Sequence, residues 1–289
     1  MGNPEVLSFF DPDTFTGTHI VIDPESNSCA IVDSVLDYDP PTGRTSTASA
    51  DKLIETIKSR GLQLELHIET HAHADHLSAA PYLQEQLGGK IVIGSDIIIV
   101  QETFGKIFNA ESGFATDGSQ FDQLYTDGDT YQIGNLQGRV IHTPGHTPAC
   151  MTHIIGDAVF VGDTLFMPDY GTARCDFPGG DAATLYDSVQ KIFALPDTTR
   201  VFLCHDYLPE EGRTEYALET TLGAEKRENI HIHQGISREE FIEMRTSRDA
   251  TLDMPVLILP SVQVNIRAGH FPPEEDNGIS YLKIPLNAL

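Results

Sequence analysis

Basic residues are scarce in this sequence, and long apolar runs are absent. It has 18 lysines and arginines against 43 aspartates and glutamates, so its formal net charge is -25 at pH 7. A charge of this size and sign excludes nucleic acid and anionic membrane surfaces as partners. No run approaches the ~18 consecutive apolar residues that a membrane span needs. Residues 1–10 carry no basic cluster and no apolar core, so we expect no signal peptide there.

Cysteines are also few. The four of them are scattered and form no CxxC pair: Cys29, Cys150, Cys175 and Cys204. A chain of 289 residues with 40% hydrophobic content can bury a large core without disulfide bonds, so we expect reduced thiols and a cytoplasmic protein. No repeat or composition break divides the chain. This predicts a single domain over residues 1–289, with helices and a tail from 208–289 packed on it.

Strand and helix patterns alternate along the chain. Apolar alternation predicts strands at 19–23, 28–34, 62–68, 90–94, 138–142, 151–155, 158–161 and 200–204. Helical spacing predicts helices near 49–60, 76–83, 95–108, 182–195, 215–229 and 237–248. Residues 37–47 are predicted to be a polar loop, and the tail from 257 to be irregular or short strands. The alternation indicates an α/β protein in which helices pack against sheets.

Metal-capable side chains are concentrated at residues 70–76, with the sequence THAHADH. This stretch follows the predicted strand 62–68. A strand presents alternate residues to one side, so His71, His73 and Asp75 can converge as the chain leaves it, with His76 next to them. Imidazole and carboxylate together suit zinc, iron or manganese. The stretch therefore predicts a metal site, against the alternative of a solvated polar turn.

Three further metal-capable residues follow predicted strand ends: His146 in TPGHT, Asp163 in GDTLF and His205 in CHDY. The Pro-Gly pair before His146 makes a tight turn that can aim its imidazole inward, and Gly162 permits close backbone approach beside Asp163. Each residue alone is a weak signal, because a single His after a strand is commonly a hydrogen-bonded loop residue. The four clusters in this order are a specific signal.

The residue set by itself leaves the number of metal ions open. One ion is possible, and so are two ions bridged by Asp163. The two-ion arrangement would divide the other ligands into His71, His73 and His146 on one side and Asp75, His76 and His205 on the other. From the ligand inventory alone, two ions are favoured.

Together, THAHADH, TPGHT, GDTLF and CHDY resemble the metallo-β-lactamase superfamily. The resemblance covers roughly residues 10–207. It implies a four-layer αββα sandwich, in which two mixed sheets are flanked by helices and the metal lies between the sheet edges. Because the superfamily includes hydrolases, nucleases and oxidases, this fold does not name the reaction.

Four further segments are similar to the persulfide dioxygenases, in the bacterial type of the ethylmalonic encephalopathy protein-like family: GTARCDF (171–177), LYDSV (185–189), HDY (205–207) and LPSVQVNIRAG (259–269). That family oxidises glutathione persulfide with O₂ and water, giving sulfite and glutathione at a mononuclear non-heme Fe(II). The resemblance therefore implies one iron per chain, held by His71, His146 and Asp163. Such a two-His-one-carboxylate face leaves open positions for persulfide and O₂.

The resemblance also implies roles for the remaining polar residues of these clusters. His73, Asp75, His76 and His205 would orient the ligands and hold water around the metal. No protein nucleophile is needed, and none is assigned. The expected partners are a small-molecule persulfide and O₂, without nucleic acid or membrane, and a homodimer is the candidate assembly.

Three residues are candidates for contacts with the substrate. Arg174 can pair with a glutathione carboxylate through its guanidinium fork, although an ion pair with Asp176 or Asp169 is the alternative. Tyr207 follows the His205 turn, and its hydroxyl either reaches the substrate or its ring packs on the sheet edge. Thr147 offers a hydroxyl next to His146. Cys175 is expected to be a bystander.

The competing hypothesis is a glyoxalase II-like hydrolase of glutathione thioesters, which would use a binuclear site built from the same seven ligands. Residues 208–289 contain no obvious basic cluster for glutathione, which argues against it. The segment at 174–177 also resembles the dioxygenases more than it resembles these hydrolases.

Overall fold

The computed structural model describes residues 2–209 and 211–287. The strands are β1 (Glu5–Asp11), β2 (Thr16–Ile22), β3 (Ser28–Val32), β4 (Val35–Asp39), β5 (Arg44–Ser46), β6 (Gln63–Ile68), β7 (Leu77–Ser78), β8 (Lys90–Gly94), β9 (Gln123–Tyr125), β10 (Thr130–Ile133), β11 (Leu136–His142), β12 (Met151–Ile155), β13 (Ala158–Phe160), β14 (Arg200–Phe202) and β15 (Glu219–Thr221). The helices are α1 (Ala48–Ser59), α2 (Ala80–Leu87), α3 (Ile97–Ile107), α4 (Ala182–Phe193), α5 (Leu222–Glu228), α6 (Arg238–Asp249) and α7 (Ile258–Asn265).

These strands form two six-stranded sheets and a small third one. The first large sheet has the order β1-β2-β3-β6-β8-β9, and it is antiparallel up to β3 and parallel beyond. The second has the order β10-β11-β12-β13-β14-β15, in which only β13 and β14 run parallel. The third sheet has the order β5-β4-β7. Both large sheets are therefore mixed, as predicted.

The facing surfaces of the two large sheets enclose a common apolar core, which includes Val21 and Ile68 from the first sheet and Val140 and Phe160 from the second. Helices α1, α2, α3 and α7 cover the outer face of the first sheet. Helices α4, α5 and α6 cover the outer face of the second. This arrangement confirms the predicted αββα sandwich. It also explains why central strands such as β3 and β8 are mainly apolar, since both of their faces are buried.

Backbone hydrogen bonds join the two sheets at the edge where strands β6, β13 and β14 end. The N–H of Met151 donates to the carbonyl of Thr70 at 2.9 Å, and the N–H of Gly17 donates to the carbonyl of Cys204 at 2.6 Å. Loops that leave both sheets are thereby fixed against each other. The polar clusters of the sequence lie in these loops, on rigid supports.

Two local predictions in the first half of the chain are wrong. Residues 37–47 form the β4–β5 hairpin, whose turn is closed by backbone bonds to Asp39, with Gly43 at φ 65°. The helix predicted from His76 begins only at Ala80, because Leu77 and Ser78 first pair with β4. Short apolar segments of this kind are recruited into strands by tertiary pairing, which local spacing does not report.

Two predictions in the last third are also wrong. The helix predicted over 215–229 begins only at Leu222, because Glu219–Thr221 pairs with β14 as an edge strand. The Thr221 side chain then caps the helix by accepting from the N–H of Ala224. The segment 258–265, expected to be irregular or strand, is helix α7, which packs on α3 and β7. The division of the chain into domains stays a prediction.

Within residues 2–209 and 211–287, every helix is too short or too polar to traverse a lipid bilayer.

Candidate metal centre

Three loops bring His71, His146 and Asp163 together at the joined edge of the two sheets. Nε2 of His71 lies 3.8 Å from Oδ2 of Asp163, and Nε2 of His146 lies 3.6 Å from the same oxygen. The two imidazole rings are nearly perpendicular, with centroids 5.2 Å apart. All three side chains are buried. Two imidazole nitrogens and a carboxylate oxygen thus face one small volume, which is the geometry of a metal-binding triad.

The hydrogen bonds of the two imidazoles leave their Nε2 atoms free for a metal. Thr70 donates its hydroxyl to Asp33 at 2.9 Å and accepts from Nδ1 of His71 at 3.0 Å. Nδ1 of His146 donates to the carbonyl of Arg174 at 2.8 Å. With the proton held on Nδ1, each Nε2 carries the lone pair. Among the described residues, Nε2 of His71 is buried without a hydrogen-bond partner.

Two glycines make this close approach possible. Gly145 has φ 137°, and a Cβ there would lie 2.4 Å from backbone atoms of Leu185. Gly162 has φ 52°, and its Cβ would lie 2.6 Å from the Thr70 hydroxyl. Larger residues at either position would push the His146 or Asp163 loop away from the centre. These contacts agree with the roles predicted from sequence, a tight turn that aims His146 inward and close backbone approach beside Asp163.

A second group of ligand-capable atoms lies beside the first and consists of His73, Asp75, His76 and His205. Nε2 of His205 lies 2.8 Å from Asp75 and 3.4 Å from Asp163. The two-ion arrangement considered from sequence placed His73 with His71 and His146. The structure instead groups its ligand atom with Asp75, His76 and His205.

Carboxylates surround His73 on the side away from the triad. Its Nε2 lies 2.9 Å from Asp33 and 3.4 Å from Glu69. Burial alone would lower the pKa of His73, but the charges of Asp33 and Glu69 outweigh it and raise that pKa well above its ordinary value. Asp33 and Glu69 therefore favour the charged form of His73.

His205 is held in a similar way between two carboxylates. Its Nδ1 donates to the carbonyl of Phe15 at 3.2 Å. Burial opposes protonation, but Asp75 and Asp163 together raise the pKa of His205 to about 9. The two acids therefore favour the charged form of His205.

A cavity of about 310 Å³ opens onto the triad. Its metal-proximal wall includes Asp75, His146, Asp163, Phe166, Phe177 and Tyr207. Its outer part is lined by Tyr170, Thr172, Ala173, Arg174, His231, Arg245, Arg248, Leu252, Asp253 and Pro255, with Ala74 at the rim. Two of the three predicted substrate contacts, Arg174 and Tyr207, therefore border this cavity. Thr147 does not, because its hydroxyl is turned to Sγ of Cys150, 3.1 Å away.

The Arg174 guanidinium forms the ion pair that the sequence offered as an alternative. Its Nε and one Nη donate to the two carboxylate oxygens of Asp176 at 2.6 and 2.7 Å, and the other Nη donates to the carbonyl of Asp253 at 2.6 Å. The Tyr207 ring lies parallel to His205, with centroids 5.8 Å apart. Cys175 is buried, and burial raises the pKa of its thiol far above the ordinary range, as expected of a bystander.

The residues present fit a metal ion. The triad offers two imidazole nitrogens and a carboxylate oxygen that lie within 4.8 Å of one another on one side of a cavity, and these are donor atoms that a divalent transition metal accepts. Hydrogen bonds donated by Nδ1 of His71 to the Thr70 hydroxyl and by Nδ1 of His146 to the Arg174 carbonyl fix both ring tautomers.

The profile of the metallo-beta-lactamase superfamily matches residues 14–205. This chain belongs to the metallo-β-lactamase superfamily. The matched region contains all seven metal-capable residues of the two groups. It ends at His205, so the walls of the cavity that come from residues 231–255 lie beyond it.

Individual members of the superfamily show similarity over nearly the whole chain. A probable metallo-hydrolase of Burkholderia pseudomallei is 57% identical, covering 98% of this chain and 99% of that protein. Glyoxylase B2 of Dictyostelium discoideum is 54% identical, covering 100% of this chain and 99% of that protein. The mitochondrial persulfide dioxygenase ETHE1 of Bos taurus is 30% identical, covering 93% of this chain and 90% of that protein. The crystal structure of ETHE1 from Myxococcus xanthus superposes with a TM-score of 0.72 at 30% identity, covering 92% of this chain and all of that one.

Sequence reasoning missed several residues of this metallo-β-lactamase site. Asp33 and Glu69 support His73, and the only sequence signal for them was their position directly after strands. The expectation that residues 208–289 contain no obvious basic cluster for glutathione stays a prediction, but this segment does place two arginines at the cavity. Arg245 and Arg248 lie one helical turn apart on α6 and both border the cavity. The i, i+3 spacing of RTSR was the signal that could have found them.

The wall that carries His231 rests on a buried acid. Asn229 donates to Glu225 at 2.7 Å and to the carbonyl of Gly171 at 3.1 Å, and its own side-chain oxygen accepts from the N–H of His231. Burial raises the pKa of Glu225 to about 8. Folding therefore holds a proton on Glu225 in a pH range where the unfolded chain releases it.

We expect Glu225→Gln to remove part of the pH dependence of stability. Because the folded pKa of Glu225 is raised from 4.5 to about 8, the wild-type protein binds more protons folded than unfolded in this window and loses stability as pH rises. Between pH 5 and pH 8, the wild-type free energy of unfolding should fall relative to the variant by at least about 1 kcal/mol. Urea denaturation at both pH values measures this, and parallel losses in the two proteins would contradict it.

Proposed function

We propose that the protein is a persulfide dioxygenase that converts glutathione persulfide, O₂ and water into glutathione and sulfite at one ferrous iron per chain. The observation that carries the proposal is the His71, His146 and Asp163 triad, whose two imidazole nitrogens and one carboxylate oxygen face one small volume beside the cavity. In the second group of ligand atoms, carboxylates already contact Nε2 of His73 and of His205. The similarity to persulfide dioxygenase ETHE1 at 30% identity supports the same conclusion.

His71, His146 and Asp163 would hold the iron, which when bound supplies the redox chemistry with O₂ that a zinc ion lacks. The remaining residues prepare the site around it. Thr70 and the Arg174 carbonyl accept from the two Nδ1 atoms, so that each Nε2 is turned toward the metal position. Phe166 and Phe177 give the cavity apolar walls, which restrict water around the bound sulfur.

The overall reaction balances without a protein nucleophile. The persulfide contributes its terminal sulfur, O₂ contributes two oxygens and water the third, and the products are the thiol, sulfite and two protons. Asp75 borders the inner end of the cavity, where its carboxylate can hold that water and accept a proton. Arg174 has five N–H donors, of which Asp176 and Asp253 use three, so two stay available to the substrate.

Oxygen uptake tests the proposal directly. The iron-loaded protein should consume one O₂ per glutathione persulfide and release one sulfite, and no sulfite should form in anaerobic buffer. A persulfide that disappears equally fast without O₂, or oxygen uptake without sulfite, would contradict the dioxygenase. The Asp163→Ala variant serves as the inactive control.

A hydrolase of glutathione thioesters is the second candidate function. It is favoured by the second group of ligand atoms, which could hold another ion, and by the names of two similar proteins, a probable metallo-hydrolase and Glyoxylase B2. Hydrolysis of S-lactoylglutathione under nitrogen distinguishes the candidates, because a hydrolase continues without O₂.

We expect Arg174→Ala to raise KM for glutathione persulfide by about tenfold with kcat nearly unchanged, since one charged contact to the substrate is lost. The backbone carbonyl that orients His146 remains in the variant. Arg200→Ala is the matched control, because Arg200 forms a comparable ion pair with Glu219 and does not border the cavity. A loss confined to kcat would move Arg174 from substrate binding to the chemical step.

A further inference from the structure

One guanidinium outside the cavity ties together two segments that form the cavity wall. Arg213 lies beyond residues 14–205, which the superfamily profile matches, and does not itself border the cavity. Its two Nη atoms donate to the two carboxylate oxygens of Asp206, with Nη2 at 2.7 Å. Its Nε and Nη2 donate to the two oxygens of Asp169, each at 3.1 Å. Nη1 also donates to the carbonyl of Glu215 at 2.8 Å, so all five N–H donors are used. We call Arg213, Asp169 and Asp206 the arginine clamp.

Both acids of the arginine clamp are chain neighbours of aromatic residues that border the cavity. Asp206 directly precedes Tyr207, and Asp169 directly precedes Tyr170. The Tyr170 and Tyr207 rings lie 4.9 Å apart at an interplanar angle of 31°. Phe166 meets both of them edge-on, with centroid distances of 5.9 and 5.7 Å. These three rings, which we call the aromatic wall, come from two segments of the chain, and each segment carries one acid of the clamp.

The two halves of the arginine clamp differ in burial. Asp206 is fully buried and also accepts from a backbone N–H at 2.6 Å, so its ion pair belongs to the fixed part of the fold. The Asp169 side chain is 38% exposed and lies in a turn, which the N–H of Tyr170 closes by donating to the carbonyl of Met167 at 2.7 Å. Asp169 is therefore the adjustable half, and its contact with the guanidinium sets how closely Tyr170 approaches the rest of the aromatic wall.

The turn that carries Asp169 has a second support, which does not depend on the clamp. The N–H of Ile230 donates to the carbonyl of Pro168 at 2.9 Å. Loss of the Asp169 carboxylate should therefore shift the Tyr170 ring without unfolding the turn.

We propose that Arg213 is a positioning residue, which acts through Asp169 to hold Tyr170 in the aromatic wall and thereby selects substrates whose sulfur is borne by an unbranched carbon. The inference rests on the proposed function for the nature of the substrate, a persulfide whose sulfur lies at the metal. Because Phe166 and Tyr207 border the metal-proximal end of the cavity, the carbon next to that sulfur lies against the aromatic wall. Methyl groups on this carbon would collide with rings that the clamp keeps from moving apart.

Binding of two thiols tests this selection without turnover. Glutathione is compared with its analogue in which penicillamine replaces cysteine, because the analogue keeps every charged group and adds two methyl groups beside the sulfur. Calorimetric titration of the metal-loaded protein under nitrogen should show that wild type prefers glutathione by about tenfold. In Asp169→Asn, which leaves Arg213 paired with the buried Asp206, this preference should shrink by about fivefold. Asp169→Glu keeps the carboxylate and should restore most of the preference.

Tyrosine dichroism reports on the rings themselves. The chain has nine tyrosines and no tryptophan, so its near-ultraviolet circular dichroism depends on how the tyrosines pack. Asp169→Asn should change that signal in the same direction as Tyr170→Leu, which removes the ring, and should leave the far-ultraviolet spectrum unchanged. Asp187→Asn is the matched control, because Arg238 donates to Asp187 at 3.1 and 3.2 Å and neither residue borders the cavity. This control should equal wild type in both measurements.

The outcomes separate a positioning role from a structural one. Arg213→Gln should also lose the preference, and it should be less stable because it leaves the buried Asp206 unpaired. An unchanged preference in Asp169→Asn, an equal loss of affinity for both thiols in that variant, no preference in wild type, or no measurable binding of either thiol would overturn the positioning role. Sulfite production by wild type with an unchanged preference in Asp169→Asn refutes the positioning role alone. A reduced preference in that variant, without sulfite production by wild type, refutes the dioxygenase alone.

Discussion

Replacing Asp163 with Ala should strip the metal and abolish oxygen uptake. Asp163 is the only carboxylate of the triad, and its oxygens lie within 3.4–3.8 Å of His71, His146 and His205. Without it two imidazoles remain, and they cannot balance the charge of a divalent ion in a buried site. Metal affinity should fall by more than about 100-fold, since loss of residues that only support a ligand already costs 10–100-fold.

The Asp163→Ala experiment needs two measurements and a matched control. Elemental analysis gives the metal content, and an oxygen electrode gives the rate. Asp253→Asn is the control, because it removes an acid from the same cavity at a distance from the triad, and it should retain its metal. A variant of Asp163 that keeps both its metal and its oxygen uptake would refute the ligand assignment.

Replacing Asn265 with Ala should cost about 3 kcal/mol of folding stability and release the metal loop. Its amide donates to the carbonyls of His73 and His76 at 2.9 and 2.8 Å, and its oxygen accepts from the N–H of Ser78 at 2.9 Å. The side chain is buried, so truncation leaves three backbone groups without partners and without water. The loop that carries His71 and its neighbours would then lose its tie to helix α7.

Thermal and urea unfolding measure the stability of the Asn265→Ala variant, and metal titration measures its ion affinity. Asn277→Ala is the matched control, because Asn277 is exposed in the tail and its side chain donates to Tyr281. The control should be indistinguishable from wild type. If Asn265→Ala unfolds at the wild-type midpoint and binds metal as tightly, α7 does not hold the loop.

The convergence of the candidate ligands was predictable because they directly follow strands. His71, His146 and Asp163 each come three or four residues after a strand, and strand ends at one sheet edge converge whatever their distance in the chain. The choice of these three as the ligands of one ion came from the family resemblance and stays a prediction. The αββα architecture followed from the same motifs. Asn265 was noticed only as part of a family-like segment, since nothing in its neighbours shows that it faces residues 73–78.

The outer wall of the cavity was not predictable either, because neighbouring residues in the sequence do not show which distant residues a side chain faces. His231 and Arg245 meet Thr172 only through tertiary packing, and no spacing rule connects these positions. The ion pair of the Arg174 guanidinium, in contrast, is local, and the sequence indicated it as an alternative to substrate binding. Asp176, two residues away, reaches the guanidinium first. The Thr147 hydroxyl is turned away from the cavity by its hydrogen bond with Sγ of Cys150, three residues further along the chain.

Elemental analysis of the freshly purified protein tests the central claim most directly, since everything proposed for the reaction depends on a lone redox-active ion. The account predicts about one iron per chain, with little zinc, for a two-His-one-carboxylate site. Two zinc ions per chain, with Asp163 shared between them, would contradict it and would make the thioester hydrolase the better account of this site.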